Sequence, residues 1–231
     1  MLNVTLKKTT LGLFIIFIMG CLVSLMSCKT GTVVRETSRE MSGIKKVLVL
    51  PFNNMAKIYG ENVNVRCPVC GKVIMIGKVA EGVEHNLTAK VFDLLKERED
   101  IQFIPPSQAE GVLTGLMFDD KTSRSEKDVI MEAGRKLGAD AVLYGYVYRY
   151  EERVGAKYAI DKPASVAFDI HLIHTNNGSL LWNGHFDETQ QSLSENLFKL
   201  GAFIKRKAQW VSANDMAITG LEEVMKTFPT P

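Results

Sequence analysis

Cysteine is scarce in this chain of 231 residues: four occur, and that is too few and too unevenly placed for a disulfide scaffold. Histidine is as rare, with His85, His171, His174 and His185 widely separated. Only one long apolar run exists, at the N-terminus, which excludes a multi-pass membrane protein. No cluster of Arg and Lys and no basic–aromatic interleaving is present, so nothing points to nucleic acid. A phosphate-cradling Gly-x-x-x-x-Gly-Lys-Ser/Thr run is absent, and so is any hydrolase signature. The carboxylate pairs Asp119-Asp120, Glu151-Glu152 and Glu222-Glu223 read as solvated charge rather than acid–base machinery. The expectation is a protein that is not an enzyme.

Acidic residues are also missing before Glu36. Lys7 and Lys8 precede an apolar stretch from Leu11 to Met26, the positive and hydrophobic regions of an export signal. Both lysines leave with that segment. The remaining chain then has 26 basic and 26 acidic residues, against 28 and 26 overall, and no formal charge. Leu25-Met26-Ser27-Cys28 closes the segment and resembles the lipobox of bacterial lipoproteins. That resemblance implies cleavage after residue 27, a diacylglycerol thioether on Cys28 and acylation of the new amino group, with palmitate-type chains. Ile18-Met19-Gly20-Cys21 is a rival of similar shape, but cleavage there leaves a short apolar region. Multiple acyl chains anchor stably where one is marginal. Lys29, rather than Asp, follows the lipidated residue; by the family rule this implies the outer membrane of a two-membrane host, on its periplasmic face.

Residues 28–43 are polar and read as a flexible tether, leaving 44–231 as a single α/β domain. Lys46 to Phe52 is a compact apolar strand. Residues 53–77 form a long irregular loop, or hide a hairpin that turns at Cys67-Pro68-Val69-Cys70-Gly71, with Val63 and Val65 on one arm. Val79 to Glu97 is a helix by the spacing of Val83, Leu87, Val91, Leu94 and Leu95, and 101–104 is a short strand. Ser107 with Glu110 predicts a capped helix ending near Gly115. Ser125 to Leu137 is a further helix, stopped by Gly138, and Ala139 to Val147 is a strand. Ser165 to Thr175 alternates, with Val166, Phe168, Ile170 and Leu172 on one face. Asn176-Asn177-Gly178 then turns into a returning strand that ends near Thr189. Helical segments from Ser192 or Ser194 to about Lys207, and from Ala213 or Asn214 to Phe228, complete the chain. The prediction is an α/β fold: a mixed sheet with an antiparallel C-terminal hairpin and helices packed on it.

Val47-Leu48-Val49-Leu50-Pro51-Phe52 and Lys136-Leu137-Gly138-Ala139-Asp140-Ala141-Val142-Leu143-Tyr144-Gly145 resemble two elements of periplasmic lipoproteins related to the curli-secretion channel subunit and the TolB N-terminal domain. The tail with Trp210 and the helix from Gly220 to Phe228 is similar to polysaccharide-export lipoproteins of the Pel type. These resemblances imply a TolB N-terminal-like fold. They also imply a structural or assembly component of an envelope export or secretion complex, as a homo-oligomer or bound to another envelope protein. The paired amphipathic hairpins of a transmembrane barrel are not found, so a pore is not expected.

Cys67-x-x-Cys70 is the most pointed chemistry of the domain. The pair reads as a disulfide, as a knuckle holding a metal, or as a thiol-redox site. No organic cofactor is expected; zinc is the metal such a pair would take. Zinc needs four ligands: His85, fifteen residues beyond Cys70, is a third candidate, and His171, His174 or His185 would supply the fourth through the fold. A periplasmic metal-binding or thiol-redox protein centred on Cys67 and Cys70 is therefore the alternative function. Tyr144, Tyr146, Tyr148 and Tyr150 alternate along one strand and, with Trp210 beside Lys205, Arg206 and Lys207, are candidate contact residues.

Overall fold

The computed structural model describes residues 36–37, 41–117, 124–155, 160–190 and 211–230. All lie in the unit Thr32–Pro231; Met1–Gly31, with Cys28, falls outside the described residues, as do Trp210 and the helix expected between 192 and 207.

The elements are β1 (Glu36–Thr37), β2 (Lys46–Val49), β3 (Asn53–Asn54), α1 (Met55–Tyr59), β4 (Asn64–Arg66), β5 (Val73–Met75), α2 (Val83–Leu95), β6 (Gln102–Ile104), α3 (Pro106–Met117), α4 (Glu126–Lys136), β7 (Ala141–Glu151), β8 (Val154–Gly155), β9 (Ile160–Lys162), β10 (Ser165–His174), β11 (Leu180–Thr189) and α5 (Ala213–Met225). The main sheet runs β1-β11-β10-β7-β2-β6, with β3 also on β7. It is parallel where β2 meets β6 and β7, and antiparallel through β7, β10, β11 and β1. The expected α/β fold with an antiparallel hairpin is therefore the one observed.

β7 is the spine of the sheet. One of its edges pairs with β10 along its length. The other is taken in turn by β2, by β3 and by residues 77–79, through Gly77 N to Tyr148 O, Tyr150 N to Lys78 O and a bridge from Val79 to Tyr150. This succession of partners explains why β7 runs past Val147, where the sequence pattern ends it.

Alternation divides the core in two. Val47, Val49, Leu143, Val166, Phe168, Ile170, Trp182 and Phe186 pack on one face against α2 and α5. There Gly220 of α5 lies over the Phe186 ring so closely that a Cβ would come 2.7 Å from it. Leu48, Val142, Tyr144, Tyr146, Tyr148, Ala167 and Ile173 line the other face, under α1, α3, α4 and the β4–β5 hairpin. Central strands buried on both faces read as nearly continuous apolar runs, as β7 and β10 do.

Three expectations are corrected. The segment 28–43 is not tether throughout: Glu36–Thr37 adds to the edge of β11, and Met41 is buried, so the fold begins before Ile44. That addition covers a strand edge that would otherwise be open. Residues 53–77 contain α1, capped by Asn54 accepting from Ala56 N and Lys57 N, as well as the hairpin the sequence offered as one reading. α3 starts at Pro106, where a missing N–H costs nothing, rather than after a Ser107 cap, and it runs through Gly115 to Met117. α4 is the helix expected from Ser125 to Leu137, and Ser125 caps it in a full capping box with Asp128. Among the described residues no helix is long and apolar enough to cross a membrane.

A candidate metal centre beneath the Cys hairpin

The β4–β5 hairpin turns through a knuckle. Cys67 N donates to Lys72 O at 2.7 Å, and Gly71 N to Cys67 O at 3.0 Å. Gly71 takes φ 75°, a left-handed conformation that its lack of a Cβ makes easy. The Arg66 guanidinium caps the turn on Gly71 O at 2.9 Å. Ile74 and Cys67 point inward, while Val73 and Met75 face solvent. The turn therefore lowers its two sulfurs toward the sheet.

Beneath it, strand register assembles a polar group. Asp169 and His171 sit two apart on β10 and so share a face. Tyr146 and His185 lie directly opposite Asp169 on the flanking strands, and Tyr144 and Asn183 opposite His171. Cys67 Sγ is 3.5 Å from His171 Nε2, and Cys70 Sγ 3.8 Å from Asp169 Oδ2. One ligand atom from each of Cys67, Cys70, Asp169 and His171 fits within 4.8 Å of all the others. Asp169 is itself held by His185 Nδ1 on Oδ1 and by the Tyr148 hydroxyl, which donates to Oδ2 at 3.2 Å. Cys67, Asp169, His171 and His185 are buried, and Cys70 is half-buried.

The electrostatics are those of a site that favours one thiolate. The Cys70 thiol hydrogen-bonds to Cys67 and, with His171 beside it, outweighs burial and draws the Cys67 thiol well below its ordinary range. Cys70 moves upward, because its proton is held by Cys67 and because burial and the Asp169 charge oppose a second anion. Backbone N–H groups of Cys70 and Lys72 hydrogen-bond to the Cys67 and Cys70 sulfurs respectively. Both cysteines are free thiols. Cys67 is 1% exposed and Cys70 half-buried, so Cys70 is the sulfur nearer to solvent.

His85 does not join this group. It is exposed on α2, which packs on the opposite face of the sheet, and it lines a surface cleft with Pro51, Thr88 and Pro105. His174 is engaged at the β10–β11 turn, where its Nδ1 accepts from Asn176 N. Tyr144, Tyr146 and Tyr148 are buried under the hairpin and α1, so they are not a contact surface. The rings of Tyr144 and Tyr146 instead pack around His171, at 5.7 and 5.8 Å. Asp169 went unnoticed in the sequence. Its signal was the second face of β10, where Ala167 and Ile173 bracket Asp169 and His171 as a buried pattern would.

No family model and no curated protein sequence matches the chain. Among solved structures it is similar to the PelC dodecamer from Paraburkholderia phytofirmans, at 15% identity and a TM-score of 0.48, covering 87% of this chain and 99% of that one. It is similar to lipoprotein GNA1162 from Neisseria meningitidis at 18% identity and 0.40, over 71% and 98% of the two chains. The LpoB C-terminal domain from Escherichia coli follows at 16% identity and 0.38, over 63% and 83%.

Proposed function

We propose that this protein is a lipid-anchored envelope component, held on the periplasmic face of the outer membrane, whose α/β domain serves the assembly of an export or secretion complex and performs no catalysis. The observation that carries the anchoring is Leu25-Met26-Ser27-Cys28 at the end of the apolar export segment. The edge strand β1 begins eight residues after Cys28. A fully extended chain of that length spans at most about 29 Å, so an acylated Cys28 keeps the β1–β11 edge of the sheet near the bilayer.

An assembly role is supported by where apolar surface remains. Among the described residues six large hydrophobics are exposed; five of them, Ile58, Tyr59, Val63, Val73 and Met75, fall within residues 58–75, on α1, the hairpin and the link between them, and the sixth is Val154. Concentrated exposed apolar surface marks contact sites. This segment takes the contact role that the buried tyrosines do not fill.

Metabolic labelling with a palmitate analogue tests the anchoring. The native chain is expected to take up label and sediment with outer membranes. Cys28→Ser is expected to lose the label, and Cys21→Ser to keep it. Label that persists in Cys28→Ser and disappears in Cys21→Ser would move the anchor to the rival site and detach this reading from residue 28.

A further inference from the structure

We propose that Cys67, Cys70, Asp169 and His171 bind one zinc ion as a closed structural site that clamps the β4–β5 hairpin onto the sheet. The donor set is two sulfurs, one imidazole nitrogen and one carboxylate oxygen, mutually within 4.8 Å. Zinc bonds sulfur at about 2.3 Å, nitrogen at about 2.0 Å and carboxylate oxygen at about 2.0–2.2 Å, so a tetrahedral ion sets sulfur about 3.6 Å from its nitrogen or oxygen neighbour. The structure has Cys67 Sγ to His171 Nε2 at 3.5 Å and Cys70 Sγ to Asp169 Oδ2 at 3.8 Å. Two of the six edges are therefore close to the lengths that the ion requires, and the others lie within 4.8 Å.

Three further features fit a metal and are hard to account for without one. First, two thiols and a carboxylate converge in a largely buried place, where their anionic forms repel. A divalent cation removes that repulsion. Second, Asp169 has outer partners on both oxygens, His185 and Tyr148, the arrangement that orients a ligating carboxylate. Third, the His171 ring lies in the core and, among the described residues, its Nε2 meets only the Cys67 sulfur, which leaves that nitrogen available to a metal. A metal bond to Nε2 would give the ring a strong contact.

Two thiolates and an imidazole select zinc over calcium or magnesium, which prefer oxygen. Four protein ligands leave no open position for water or substrate, so the site stabilises and does not catalyse. On binding, the thiol protons leave to solvent and both sulfurs become zinc thiolates; no electron is transferred. The mechanical consequence follows from size. β4 and β5 have three residues each, too short for an independent hairpin. Beside the apolar plug of Ile74 and Ile76, the backbone bonds at 77–79 and the Arg149 guanidinium on Met75 O, the metal would be the bond that fixes the turn to β10.

The test uses the full chain purified in detergent with its thiols protected. Elemental analysis is expected to find about one zinc per chain. Cobalt exchange is expected to give thiolate-to-cobalt charge-transfer bands and the intense visible bands of a tetrahedral ion. The Cys67→Ser/Cys70→Ser double variant is expected to lose the metal, and His85→Ala to keep it. Tyr148→Phe should weaken zinc affinity by about 10-fold, the scale for an outer-shell partner. If the double variant fails to fold, the native chain still decides. Chelation should lower its thermal midpoint, and added zinc should restore it. Zinc retained by the double variant would overturn the proposal. So would a metal-free native chain, whether its cysteines are free or joined as a disulfide, whose midpoint ignores both chelator and zinc.

Discussion

Glu84 lies in the first turn of α2 with its carboxylate buried, and Lys57 of α1 reaches across to it. Burial works against its charge, but the Lys57 hydrogen bond and charge outweigh burial and hold the carboxyl below its ordinary 4.5. The sign follows from linkage. A carboxyl depressed in the folded state adds stability above its unfolded pKa and loses that contribution as pH falls through the folded value. Between about pH 5 and 3 the native chain is therefore expected to lose stability more steeply than Glu84→Gln, read as the urea midpoint at each pH. Parallel slopes would show that the Lys57 pair contributes nothing. The pairing was not legible in the sequence: α1 was read as loop, so nothing placed residue 57 beside residue 84. The Tyr ladder shows the same limit. Its alternation was plain, but exposure was decided by the hairpin, α1 and the helices that cover it.

Two helix starts are fixed by local capping chemistry that the sequence reading did not name. Ser125 Oγ accepts from Asp128 N at 3.2 Å, and Asp128 Oδ2 accepts from Ser125 N at 3.2 Å. Ser212 does the same for α5, accepting from Asp215 N at 3.0 Å. Ser125→Ala is expected to cost about 1 kcal/mol by denaturant unfolding, with the denaturant slope unchanged. A loss well under a few tenths would mean that packing against the sheet alone fixes that end. Strand ends were less legible. β7 was expected to stop at Val147, because the mixed residues after it lack a period; residues 77–79 supply the partner that extends it, and they are distant in sequence.

For the whole molecule, covering both faces of the sheet leaves most of the exposed large apolar side chains of the described residues on residues 58–75, with Val154 of β8 apart from them. Val73 is 54% and Met75 55% exposed. If this segment is the assembly contact, Val73→Asp together with Met75→Asp should reduce the native mass of the detergent-purified chain from an oligomer to a monomer. The thermal midpoint should barely move, since exposed substitutions typically change stability by about 0.5 kcal/mol or less. An unchanged oligomer would place the contact elsewhere, and a native chain that is monomeric at all concentrations would remove self-assembly altogether.

The sequence alone determined the α/β class, the two C-terminal strands and their turn, the helices α2, α4 and α5 and the expectation of a lipid anchor at Cys28. Each depends on neighbours within a few residues: a hydrophobic period, a cap, a turn dipeptide, a short processing motif. It also singled out Cys67 and Cys70, because their spacing is local. Only the tertiary structure decided what they face. Asp169 lies about a hundred residues beyond Cys70, and it reaches the hairpin because β10 pairs with β7 while residues 77–79 bind the opposite edge of β7. The same geometry sets His85 on the far side of the sheet and brings His171 beneath the sulfurs. A ligand set drawn from two distant segments is a property of strand register, and register is fixed by pairing across the chain rather than by any short stretch of it.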